Sequence, residues 1–467
     1  IVKVKKPAGK FAQRRSGQRP QAQFRCATCR DLFHYSAYHL AHIAETARDV
    51  DLAIRCGYGW SLGPFETWQA AGWKQVAQWI ADDIVAGKSM SSAPLPDWVF
   101  DGRDGVHAAE GSYSPSRNAK LPRSSLPVYQ RQRFPDPLLG EKFAPGETVF
   151  ENDGLRMWHD GDGIAVVSFK TKMNTVSDQV LDGLQECVSR AEKDFQGLVI
   201  WQQKEPFSAG ADLAGALGLL QAGKVDQFEE MVANFQRTSQ RIKYSLVPVV
   251  AAVRGLALGG GCEFQMHSAK TVAFLESYIG LVEAGVGLLP AGGGLKELAV
   301  RASQAAGPGG DVFAELKKTF ETVAMAKVSN SAVNAQELGL LRSTDKVVFN
   351  SYEALYIAKA EARALAEAGY RPPLPARRIQ VAGDVGIATF KMMLVNMLEG
   401  RFISPYDYEI AERIATVLCG GNVDRGTVVD EAWLLTLERK HFVELAQQEK
   451  TQARIAHMLK TGKPLRN

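Results

Sequence analysis

Between Gly163 and Glu276, short apolar runs take turns with amphipathic stretches. "GIAVVSF" (163–169) has the length and β-branched content of a strand. "VSDQVLDGLQECVSRAEK" (176–193) repeats apolar residues every three to four positions, as an amphipathic helix does. "GLVIWQQ" (197–203) suits a buried strand and "VDQFEEMVANFQRTSQRIKYS" (225–245) a long helix. "PVVAAVRG" (248–255) and "KTVAFLE" (270–276) read as two more strands. Strands separated by helices pair in parallel through crossovers, so the alternation predicts an α/β domain.

The flanks obey other rules. Residues 31–90 are periodic and helical, broken by a loop at "GYGWSLGP". Residues 91–146 are rich in Pro, Ser and Arg without a sustained period, which predicts a linker. From about Ala305 the chain reads as mostly helical. The expected divisions are a basic disordered tail (1–30), a helical segment (31–90), a linker (91–146), an α/β domain (147–345) and a C-terminal helical region (346–467).

Charge and cysteine content narrow the partners. Nine Lys and Arg lie in residues 1–30 with no acid, and without them the net charge of +4 becomes −5. The body is mildly acidic, so nucleic acid is not an expected partner. Cys26 and Cys29 form a lone CxxC with no second pair, a weak zinc signal, and no metal is expected. The remaining cysteines read as reduced thiols. No run of about 18 to 20 apolar residues suggests a membrane span, and a cytoplasmic location is expected.

Three segments carry chemistry. In "GLALGGGCEF" (255–264), a buried strand meets three glycines and then Glu263. A glycine-lined helix start offers unpaired N–H groups that another atom can approach closely. The ordinary alternative is tight helix–strand packing with Glu263 as a helix-start carboxylate. "FSAGADL" (207–213) is a second strand-end junction, with Asp212 placed to cap a helix. Two such junctions can aim two N–H donors at one oxygen and form an oxyanion hole. In "ESYIGLVEAGVGLLPAGGGLKEL" (276–298), Glu283 stands in an apolar stretch, either exposed on a loop or buried with a raised pKa. His267, four residues after Glu263, reads as a packed histidine rather than a partner in chemistry.

In this order and at these distances, the three segments resemble the enoyl-CoA hydratase/isomerase family, the crotonase fold. The resemblance covers roughly 150–345. It implies a ββα spiral core within the α/β class. It implies an oxyanion hole from the N–H groups of Ala211 and Gly260, and catalytic carboxylates at Glu263 and Glu283. It implies substrate-binding positions at Ala209, Gly210, Asp212, Gly259 and Gly261. "KTKMN" (170–174) matches the family's acyl-CoA-binding stretch loosely and adds Met173. Val282 departs from the family pattern, which has proline before the second glutamate. The activity implied is hydration of 2-enoyl-CoA in fatty-acid β-oxidation, with double-bond isomerisation or non-catalytic acyl-CoA binding as alternatives. The implied substrate is an acyl-CoA thioester, with coenzyme A as part of it. No separate cofactor is needed.

"DVDLAIRCGYGWSLGPFETWQAAG" (49–72) resembles the helical C-terminal domain of 3-hydroxyacyl-CoA dehydrogenases, with its GPFE loop. Bacterial multifunctional fatty-acid oxidation proteins join such a domain to a crotonase domain. No GxGxxG stands after a strand near the front, so a truncated dehydrogenase portion is expected and NAD is not expected to bind. Self-association, or association with a thiolase, is the implied partnership.

Overall fold

The computed structural model describes residues 15, 17, 19–133, 138 and 146–467. The chain divides into two compact units: residues 1–130 with 134–144, and residues 131–133 with 145–467.

The first unit holds helices α1 (Pro20–Ile43), α2 (Ala47–Tyr58) and α3 (Pro64–Val85). Next in the chain is an antiparallel meander of β1 (His107–Ala108), β2 (Gly111–Ser114) and β3 (Ala119–Leu121). The GPFE loop is a helix start served by a distant acid. Buried Asp51 accepts hydrogen bonds from the N–H groups of Phe65 (2.9 Å) and Glu66 (3.1 Å). A Cβ on Gly63 would lie 2.2 Å from Asp51 Oδ1, so only glycine leaves room for the cap. Glu66 in turn accepts from the Gly63 N–H and pairs with Arg55.

Two expectations change here. Residues 20–30, read as tail, form the first turns of α1. Arg30 pairs with Asp31 and with Asp83 of α3, and Arg15, from before the helix, also meets Asp83. The rest of the expected tail, residues 1–14, 16 and 18, lies outside the described residues. Residues 91–146, read as a linker, contain the meander and supply Trp98, Val99 and Tyr113 to the core. Trp98 and Tyr113 extend a run of rings, Phe33–Trp68–Trp73–Trp98–Tyr113, with neighbouring centroids 4.1–6.1 Å apart. Single aromatic residues carried no period in sequence, yet each buries a large apolar area.

The second unit is built on a mixed sheet of seven strands in the order β10–β9–β8–β7–β6–β5–β4. These are β4 (Glu147–Glu151), β5 (Leu155–His159), β6 (Ile164–Phe169), β7 (Gly197–Trp201), β8 (Val249–Leu258), β9 (Lys270–Gly280) and β10 (Lys346–Val348). β4, β5 and β6 pair antiparallel; β6 to β10 pair parallel. Helices α4 (Asp178–Asp194), α5 (Leu213–Gln221), α6 (Val225–Lys243) and α7 (Gly260–His267) connect these strands. After β9 come α8 (Gly294–Ala306), α9 (Val312–Ala324), α10 (Ala332–Glu337), α11 (Ala354–Glu367), α12 (Gly383–Glu399), α13 (Pro405–Leu418), α14 (Glu431–Ala446) and α15 (Glu449–Thr461).

β8 runs past the expected end at Gly255. Gly255 has φ +64°, and the pairing with β9 jumps from Val253↔Ala273 to Gly255↔Ser277. A bulge of this kind bends the pair and redirects the end of the strand. Here it delivers the glycine run to the site.

The boundary expected at 345/346 is not a structural one. β10 pairs with β9, α11 covers one sheet face, and α12 to α15 share a single core with residues of 155–341. Amphipathic helices with no mutual pairing signal in sequence look separable until their apolar faces are seen to meet. Phe390 of α12 is fully buried and stacks on Phe320 of α9, with ring centroids 4.0 Å apart. Phe390→Ala is expected to destabilise this unit by about 3–5 kcal/mol, read as a lower denaturation midpoint in the transition that reports the second unit.

Candidate active site

The site forms where three loops converge beyond the bend in β8. Ser208 bridges Ala257: its N–H donates to Leu256 O (3.1 Å) and its carbonyl accepts from Leu258 N (3.0 Å). The chain next pairs with Val176, with Val176 N donating to Gly210 O and Asp212 N to Val176 O. In a parallel bridge of this form, the N–H of the central residue, Ala211, points to the opposite side. Gly210, at φ +96°, a setting that favours glycine, lies close to the next junction: its Cβ would be 3.0 Å from Leu258 O and 3.7 Å from Gly260 N. The Ala211 and Gly260 junctions therefore adjoin. Asp212 caps α5 by accepting from Ala214 N at 3.1 Å. Met173 (φ +57°) and Asn174 (φ +52°) strap the same loop: Met173 O accepts from Ala209 N, and Asn174 Nδ2 donates to Pro206 O.

Each glycine of the run faces something different. A Cβ on Gly259 (φ +51°) would meet Glu283 Oε1 at 2.9 Å, one on Gly260 the Phe235 ring at 2.3 Å, and one on Gly261 the Ser208 Cβ at 2.6 Å. Gly260 opens α7, so its N–H has no acceptor within the helix. Packing against Phe235 thus demands glycine at the position whose N–H is left open.

Glu263 lies in the first turn of α7 and is buried. Its Oε1 accepts from Gly292 N (2.8 Å) and Gly294 N (2.9 Å). Burial pushes its carboxyl up to about 7, against those two N–H groups and the Lys296 ammonium. Glu283 opens a short 3₁₀ turn after β9. Its Oε2 is enclosed and has no hydrogen-bond partner among the described residues. Burial first, and the neighbouring Glu263 charge second, hold this carboxyl well above the usual range. Two neighbouring buried carboxyl groups, both with raised proton affinity, can between them take up and give a proton near neutral pH.

His267 is buried and held at both ring nitrogens. Its Nδ1 bonds Glu263 O (2.7 Å) and its Nε2 the Lys296 Nζ (3.0 Å). Burial, then the Lys296 charge, push it down to about 3, so the ring stays neutral near pH 7. Lys296 belongs to a buried charge cluster, 2.7 Å from Glu297 and 3.3 Å from Glu431. The sequence reading missed Glu438 of α14. It is fully buried and accepts from Gly293 N (3.1 Å) and Lys296 N (2.6 Å). Burial and the Glu263 charge push it up to about 8. A single Glu in a helix that also carries Glu431, Arg439, Lys440 and Glu444 gave no signal.

Residues 159–307 match the enoyl-CoA hydratase/isomerase family. This segment is a crotonase domain. Over 436 residues the chain is 36% identical to "Probable 3-hydroxyacyl-CoA dehydrogenase" of Bacillus subtilis (strain 168), covering 93% of this chain and 53% of that protein. It is 25% identical over 318 residues to "Fatty acid oxidation complex subunit alpha" of Idiomarina loihiensis, covering 67% of this chain and 41% of that one. An enoyl-CoA hydratase structure from Bacillus halodurans aligns at 16% identity and TM-score 0.45, over 65% of this chain and 98% of that one. The chain thus spans about half the length of the Bacillus subtilis relative. Among the described residues, no helix is long and apolar enough to cross a membrane, and no group of three or more His, Cys, Asp or Glu is placed to hold a metal ion.

The glycines of the crotonase domain offer a direct check. In Gly292→Ala, the methyl would sit 2.3 Å from Glu263 Oε2 and 2.6 Å from the Phe235 ring. The ring cannot yield as a chain end would, so we expect a loss of roughly 1–3 kcal/mol in stability, measured by denaturant titration beside Gly218→Ala, whose added Cβ meets nothing within 4 Å.

Proposed function

We propose that the crotonase domain of this chain hydrates 2-enoyl-CoA thioesters to 3-hydroxyacyl-CoA in fatty-acid β-oxidation. The observation that carries the reading is the pair of enclosed carboxyl groups, Glu263 and Glu283, beside the adjoining Ala211 and Gly260 junctions. Adding water across a C2=C3 bond conjugated to a thioester builds negative charge on the thioester oxygen. The N–H groups of Ala211 and Gly260 are the donors proposed to receive it. Ala209, Gly210, Gly259 and Gly261 shape the passage for the thioester, and Met173 and Asp212 hold the loop that borders it.

Burial and mutual repulsion favour a proton retained on the pair near pH 7, and the reading places it on Glu283, with Glu263 ionised. Glu263 then takes a proton from water as the oxygen attacks C3, and Glu283 delivers its proton to C2. No cofactor beyond the substrate's coenzyme A enters these steps. The dehydrogenase activity in the name of the Bacillus subtilis relative is proposed to be absent from this chain, as is NAD, because its sequence has no strand–GxGxxG–helix. A cytoplasmic location and association with a thiolase, or between copies of the chain, go with this reading.

Crotonyl-CoA hydration, monitored as loss of the conjugated thioester absorbance, tests it. Glu263→Gln is expected to lower turnover by at least about 100-fold, as on loss of a positioned base. Turnover confined to 3-enoyl thioesters would instead make the chain an isomerase. Thioester binding without turnover would make it a binding protein.

The two carboxyl groups set the pH profile. Glu263 must lose its proton, so kcat/KM rises with pH through about 7. Glu283 must keep its proton, so kcat/KM falls again where that higher-lying group ionises. We expect a bell whose acid limb disappears in Glu263→Gln, and a profile flat across neutral pH in the wild type would contradict this division of roles.

A further inference from the structure

The loop from Pro290 to Lys296 is gripped by two carboxyl groups. Gly292 N and Gly294 N donate to Glu263, while Gly293 N and Lys296 N donate to Glu438. Gly293 lies at φ +103°, a backbone setting that favours glycine and turns its N–H away from its neighbours'. Glu438 approaches from α14, a helix well over a hundred residues further along the chain. It is braced there: Gln236 Nε2 donates to Leu435 O (2.9 Å) and reaches Glu438 Oε2 (3.4 Å), and Arg439 donates to Gln236 Oε1 (2.8 Å).

We propose that Glu438 is a positioning residue for Glu263, holding the glycine loop from the opposite face so that two N–H groups stay aimed at one oxygen of the base. The proposal deepens, and rests on, the hydratase reading. A plain helix cap would explain the bonds to Gly293 and Lys296, because these sit at the start of α8. It would not tie Glu438 to Gly292 and Gly294, which it does not touch. The interleaving does: these four donors belong to one five-residue stretch, so freeing two lets the other two swing. A misplacement of about 1 Å at a reacting group can cost about 100-fold in rate.

Two measurements on the full chain decide the matter, using Glu438→Gln, which can accept at only one end, and Glu438→Ala where it folds. The first is residue-resolved hydrogen exchange, which needs no turnover. The proposal expects exchange at Gly292 and Gly294 to rise by about tenfold or more, together with Gly293 and Lys296. A rise confined to Gly293 and Lys296 would make Glu438 a cap only and overturn it. The second is crotonyl-CoA kinetics. The expected result is a kcat lowered by about tenfold or more, KM within about twofold, and no further loss when Glu438→Gln is added to Glu263→Gln. An unchanged kcat, or an equal loss in both backgrounds, would overturn the proposal. If the wild type hydrates nothing, the hydratase reading fails, and the exchange result alone decides the role of Glu438.

Discussion

Two hydrogen bonds, from Gly292 N and Gly294 N to one oxygen of Glu263, are the contact around which the second unit is arranged. A carboxylate taken from water needs donors to stay ionisable near neutral pH. Backbone N–H groups supply them without adding a competing charge. Their aim requires a loop free of side chains, since a Cβ on either glycine would meet the carboxylate itself at 2.3–2.9 Å. The loop is steadied by Glu438 on one side. The buried cluster of Lys243, Lys296, Glu297 and Glu431 lies behind it. Burying that many charges is tolerable because each finds an opposite partner.

The same logic of glycine beside carboxylate recurs in the first unit. Asp51 caps α3 across the space that Gly63 leaves, and also meets His107 at 2.6 Å, whose other ring nitrogen reaches Ser112 at 2.7 Å. This Asp–His–Ser chain ties a helix pair to the meander. All three residues are buried, and their hydrogen bonds join the elements. Its presence explains why residues beyond 90 belong to the unit and do not form a free connection.

Much of this was legible in the sequence, for particular reasons. The strands at 164–169 and 197–201, and the part of β8 up to Gly255, were visible because parallel strands covered on both faces become short apolar runs. The glycine run and Glu263 were visible because three glycines in an apolar stretch need a special cause. Other features left no trace. Trp98 and Tyr113 lie among prolines and serines, and beyond each other their ring partners come from α3. Glu438 reads as one more charge in a helix with several, beside Arg439 and Lys440. The neutrality of His267 depends on Lys296 and on burial, neither of which spacing reveals.

Local chemistry written along the chain determined the α/β alternation, the two strand-end junctions, the glycines and the pair Glu263 and Glu283. Periodicity and the absence of a Cβ act within a few residues, so sequence expresses them directly. Which loop meets which carboxylate was decided only by the tertiary structure. The bend at Gly255, the pairing of β10 with β9 and the return of α14 bring Glu438 within hydrogen-bond reach of Gly293 and Lys296. Proton affinities at the site belong to that second level as well, because burial and neighbouring charge exist only once distant segments have closed around one another.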